Sequence, residues 1–143
     1  MKRLIFAIFC MVYWSTGGFA QVAVIGHKAV PVDTLEKSRL LDLYSGDIKS
    51  WSSDEPVVVL DLKPKDKVKK TFYKYLGKSS SRMKSIWMKK MLSGEGDPPE
   101  SLQSEEALLH KVATTPGAIG FVSQSKVSDA VKVLLIIENE DEE

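Results

Sequence analysis

The sequence predicts an α/β domain in which a central mixed sheet is flanked by about four helices. Two patterns carry that expectation. Short apolar stretches mark strands at Val22-Ala23-Val24-Ile25, at Val57-Val58-Val59-Leu60 and from Val131 to Ile137, and the continuous run of the first suits a strand covered on both faces. Between them, apolar residues recur at helical spacing in segments opened by Ser or Asp and closed by Gly. Strands that alternate with helices build a layered α/β architecture, and 143 residues suit a single domain.

The elements follow in order. A first strand is expected at 21–26, then a loop or extended stretch at 27–32. Asp33 or Thr34 can cap a helix that carries Leu40, Leu41 and Tyr44 on one face and stops at Gly46. The second strand spans 56–62, and Pro64 ends it. A helix at 66–76 presents Val68, Phe72, Tyr75 and Leu76 along one stripe before Gly77. Ser79, Ser80 or Ser81 caps the next helix, with Met83, Ile86, Trp87 and Met91 as its expected inward face. The Gly- and Pro-containing segment 93–99 reads as a loop. Ser104 caps a fourth helix, where Glu105 and Glu106 complement the dipole and Leu108, Leu109, Val112 and Ala113 form the buried stripe. Thr115-Pro116-Gly117 is a turn, followed by strands at 118–122 and 131–137.

Residues 1–20 differ from the rest. Lys2 and Arg3 precede an apolar run from Leu4 to Tyr13, and Gly18-Phe19-Ala20 offers small residues before a cleavage point at Gln21. That order predicts a signal peptide over 1–20, a domain over 21–137, an acidic disordered tail over 138–143 and a periplasmic destination. No stable membrane insertion is expected after cleavage. Phe9 stands before Cys10 where a lipoprotein signal needs a small residue, so no lipid anchor is expected. Cys10 is the only cysteine, so the exported product has no disulfide and relies on its apolar core.

Without Lys2 and Arg3 the chain carries 18 basic and 19 acidic residues, a balance that argues against a nucleic-acid partner. His27 and His110 are the only histidines and no cysteine accompanies them, so neither a metal site nor another cofactor is expected. No Gly-x-Ser-x-Gly, P-loop or dinucleotide fingerprint occurs, which points away from an enzyme.

Three motifs in sequence order resemble a known family. They are His27-Lys28-Ala29-Val30-Pro31-Val32, then Tyr44-Ser45-Gly46-Asp47-Ile48 with Trp51, then Pro116-Gly117-Ala118-Ile119-Gly120-Phe121-Val122. The pattern is similar to the substrate-binding proteins of phosphate-type ABC transporters. The resemblance implies a type II periplasmic-binding-protein-like fold, present here as a single lobe, and an oxyanion ligand. Full members hold the anion between two lobes, and this chain has about half their length.

The resemblance places the ligand after the second strand, where the family has a Gly-Ser-Gly-Thr-like turn at a helix start. A helix N-terminus presents unpaired N–H groups and partial positive charge to an anion. Here that turn reads Pro64-Lys65-Asp66-Lys67, so the candidate oxyanion ligands are Lys63, Lys65, Asp66, Lys67 and Lys69. The lysines attract an anion, whereas Asp66 repels one and competes for the donors as a cap. Two functions stay open: a weak binder of phosphate or a related oxyanion, or a ligand-free interaction module with a cell-envelope or sensory protein partner.

Overall fold

The computed structural model describes residues 21–52 and 54–138. The expected leader with Cys10, and the tail beyond Glu138, lie outside the described residues. The elements run β1 (Val22–Gly26), α1 (Lys37–Ser45), β2 (Val58–Leu62), α2 (Lys67–Leu76), α3 (Ser80–Leu92), β3 (Glu100–Leu102), α4 (Glu105–Thr114), β4 (Ala118–Ser123) and β5 (Lys132–Ile137). A 3-10 turn, Gln124–Lys126, joins the last two strands. The sheet order is β3-β2-β4-β1-β5. Strand β2 runs parallel to β3 and β4, and β1 runs antiparallel to β4 and β5, so the sheet is mixed as expected.

All five residues of β1 are buried, which explains its lack of polar alternation. The core is aromatic between α2 and the sheet. Phe72 stacks on Phe121 with ring centroids 4.0 Å apart, and Tyr44 meets Phe72 edge-on at 4.7 Å. Helix α4 lies against β4 over Gly120, where a Cβ would press into the Leu108 side chain. Gly117 (φ 80°) is fixed by its backbone as well as by space, because a Cβ there would collide with the Pro56 carbonyl oxygen. Its own carbonyl accepts the Trp51 indole N–H at 3.0 Å, which makes buried Trp51 a structural residue.

The caps explain most helix starts. Asp66 accepts from the Val68 N–H, Ser79 from the Arg82 N–H and Ser104 from the Ala107 N–H. Helix α1 is the exception. It begins after Glu36, later than Asp33 or Thr34 would place it, and without a side-chain cap. The preceding segment stays extended because the Leu35 N–H donates to the Leu134 carbonyl and Lys132 holds the Val30 and Val32 carbonyls and Asp33. Two further expectations need correction. Residues 100–102, which follow the expected loop without an apolar run, form the short strand β3 beside β2. The face of α3 is also far less buried than its periodicity implies, with only Met83 buried and Met91 45% exposed.

Glu105 ties α4 to the end of β4. Its Oε1 accepts from the Ser123 N–H at 2.6 Å and the Ser123 hydroxyl at 2.7 Å, and Lys126 pairs with Oε2 at 2.9 Å. Partial burial pushes this carboxyl upward, but the Ser123 bonds and Lys126 outweigh it and leave it below the ordinary Glu value of 4.5. A lowered folded value adds stability above the unfolded value, and that stability is lost as pH falls through the folded one. Glu105→Gln is therefore expected to lower the urea midpoint at neutral pH. The gap to wild type should close on acidification below about 4.5.

Candidate functional site

Strand β2 carries one polar residue in an apolar run, Asp61, at the end nearest α2. A lone buried carboxylate needs partners, and α2 supplies them. Lys69 and Tyr73 lie four residues apart on one helix face. Asp61 Oδ2 accepts from the Tyr73 hydroxyl at 2.5 Å and from Lys69 Nζ at 3.2 Å, while Oδ1 accepts from the Leu62 N–H at 2.7 Å. Lys69 also donates to the Leu62 carbonyl at 3.0 Å. Burial, then the Asp61 charge and the hydrogen bond to it, push the Tyr73 phenol far above its ordinary value of 10.0, so it stays a proton donor. Tyr44 donates to the Leu60 carbonyl at 2.9 Å and is raised by burial and, secondarily, by Asp61.

Asp61, Lys69 and Tyr73 of this network form the floor of a cavity of about 480 Å³ between α2, the length of α3 and the Pro98-Pro99 segment. Met83, Trp87, Met88 and Met91 make its apolar wall, and Ser80, Ser81 and Lys84 stand at its edge. Trp87 is anchored from behind, its indole N–H donating to the Tyr44 carbonyl at 2.9 Å. It sits over Gly46 (φ 79°), where any side chain would strike the ring. The cavity is lined by Asp61 of β2 and by Ser101 of its parallel neighbour β3, and Asp61 lies one residue before the C-terminal end of β2, the end at which open α/β sheets hold ligands.

The five candidate ligands separate in space. Lys63, Lys65 and Lys67 are exposed around the turn and do not line the cavity. Asp66 points its carboxylate at the Val68 N–H, 2.8 Å away, so one of the helix-start donors is occupied. Lys69 does line the cavity, but as a buried cation already shared between Asp61 and Leu62. The sequence reasoning missed Asp61 and Tyr73. The available signal was a carboxylate inside a valine- and leucine-rich strand, a position that demands a partner. Among the described residues no group of three His, Cys, Asp or Glu side chains converges to hold a metal. Among the same residues no helix is long and apolar enough to cross a membrane.

Solved structures supply the comparison. The chain superposes on a protein from Clostridium perfringens assigned as a phosphate ABC transporter substrate-binding protein and solved with bound phosphate. The TM-score is 0.68 at 23% identity over 81% of this chain and 45% of that one. An ABC-type phosphate transport receptor from Vibrio cholerae gives 0.65 at 20% identity, covering 81% and 46%. PstS from Borrelia burgdorferi gives 0.61 at 13%, covering 81% and 47%. The fold is that of the phosphate-type substrate-binding proteins. The α/β, periplasmic-binding-protein-like architecture expected from the sequence is thus the one found. This chain spans less than half the length of each of these proteins. No protein-family model and no curated protein sequence matches it.

Proposed function

We propose that this chain is an exported, non-catalytic solute-binding module of the periplasm, and that it holds phosphate or a related oxyanion weakly where β2 passes into α2. One observation carries the reading: a strand–turn–helix unit opens at the ligand end of parallel strands, in a fold shared with a phosphate-bound protein. Lys63, Lys65 and Lys67 would supply the attraction from exposed positions. Lys69 and Asp66 would act behind them, Lys69 by fixing the end of β2 and Asp66 by fixing the first turn of α2. Screened lysines and a self-capped turn give modest affinity and little selectivity among oxyanions. The signal peptide over 1–20 and the domain over 21–137 belong to this proposal. Isothermal titration with phosphate, sulfate and molybdate tests it. Saturable heat that weakens with added salt is expected. At a hundredfold excess over the dissociation constant, phosphate should add about 2.7 kcal/mol of stability. The absence of both heat and thermal shift at millimolar anion would end the proposal.

A second reading, a protein-interaction module, is favoured by a different observation: α3 leaves Met88 and Met91 exposed in the cavity wall and Leu92 exposed at its C-terminal end.

A further inference from the structure

Strand β5 ends beside α2. Ile136, Ile137 and Glu138 line one side of a hollow whose other side carries Lys37 of α1 and Lys74 and Tyr75 of α2. Lys37 holds its ammonium over the Tyr75 ring, 5.3 Å from the centroid. Lys74 also borders a second hollow, formed with Lys70, Lys78 and the Ser79-Ser80 start of α3. Lys70 and Lys74 share one face of α2, and Lys78 follows just past its end. A ridge of lysines thus separates the two hollows.

Helix α2 carries Lys67, Lys69, Lys70 and Lys74 and no acid. Among the described residues no carboxylate pairs with Lys37, Lys70 or Lys78. Like charges one helical turn apart repel, so the ridge gains from any anion that settles on it. A source of negative charge begins at the same place. After Glu138 the sequence continues Asn139-Glu140-Asp141-Glu142-Glu143, with a single uncharged residue. Five extended residues from the edge of the first hollow reach about 17 Å. Lys70 and Lys74 stand only about 6 Å apart along the helix axis. A tethered segment also meets the ridge at an effective concentration that a dilute partner does not reach.

We propose that the acidic segment 139–143 lies across this ridge, from the hollow at the end of β5 towards the one at the start of α3, with its carboxylates on Lys70, Lys74 and Lys78. The contact is intramolecular and electrostatic. It reserves these lysines for the chain itself and leaves to an outside anion those of the β2–α2 turn. The proposal rests on the end of β5 and the lysine face of α2, and it is independent of phosphate binding.

A nitroxide spin label at position 143 of the full chain tests it, placed by Glu143→Cys in a Cys10→Ser background. Amide signals of residues 70–80 are expected to lose most of their intensity at low ionic strength. They should regain it in about 0.5 M sodium chloride, where the screening length is about 4 Å. Glu140→Gln, Asp141→Asn and Glu142→Gln together should restore most of the intensity without salt, as should Lys70→Glu with Lys78→Glu. The positions of the other amide signals show whether each variant is folded, and the acidic-segment variant carries the test if the lysine pair is not. Broadening that is absent from residues 70–80, that survives the salt, or that is equal in the folded variants would overturn the proposal. So would broadening of an isotope-enriched, unlabelled chain mixed with the spin-labelled one, because the segment would then settle on a second copy.

Discussion

Asp61→Ala is expected to destabilise the domain by about 3–5 kcal/mol, the usual range for removing one partner of a buried charge pair. Asp61 is 6% exposed and Lys69 is 7% exposed, so neither can turn to water without distortion. Without the carboxylate, the Lys69 ammonium keeps the Leu62 carbonyl and the face of the Tyr73 ring but has no counter-charge at the floor of the cavity. The Tyr73 hydroxyl loses its acceptor. The loss comes from stranded groups rather than from an intrinsically strong bond. Replacing Asp61, Lys69 and Tyr73 together by Leu, Met and Phe should therefore recover most of it, because apolar substitutes leave nothing unpaired. Urea denaturation of the single and triple variants measures both quantities. A single variant within about 1 kcal/mol of wild type would show that the network relaxes into solvent.

Phe72→Ala is expected to cost about 3–5 kcal/mol as well, by a different cause. Phe72 is fully buried, stacks on Phe121 and meets Tyr44 and Tyr73 edge-on. Truncation would remove those contacts and leave a void between α2 and β4 that the sheet cannot close. Phe72→Leu should cost markedly less, because it keeps most of the volume. Tyr75→Ala, on the half-buried side of the same helix, should cost less than Phe72→Ala. The thermal midpoints of the three variants give the ranking. Equal losses at 72 and 75 would contradict a core centred on the Phe72–Phe121 stack.

Local chemistry makes much of this fold legible in the sequence. The apolar run of β1 is read directly because all five of its residues are buried, whereas β5 lies at the sheet edge, buries Leu134 and Ile137 and leaves Val133 exposed. Helices α2, α3 and α4 announce themselves by Asp66, Ser79 and Ser104, which do cap them. What was hidden depends on distant partners. β3 is three residues, Glu100-Ser101-Leu102, with no apolar run, and is a strand only because β2 offers it a parallel edge. The start of α1 is set by the Leu35–Leu134 bond, between residues far apart in sequence, not by the nearby Asp33. The helical spacing of Met83, Ile86, Trp87 and Met91 holds, but spacing cannot say whether anything covers a face, and Met91 remains exposed.

The candidate site divides in the same way. A cationic turn at the start of α2 is visible in the string of lysines. The role of each lysine is not, because burial decides it. Lys69 differs from Lys67 in nothing but the side of the helix it occupies, and that side faces Asp61. Asp66 was recognisable as either ligand neighbour or cap, and its bond to the Val68 N–H makes it a cap.

Amide chemical shifts recorded during a phosphate titration address the anion site most directly. If the β2–α2 turn receives the ion, signals from residues 63–69 move together and saturate, and added salt reverses the movement. Shifts spread evenly over every exposed lysine, or no shift at millimolar phosphate, would mean that the β2–α2 turn of this chain is not an anion site.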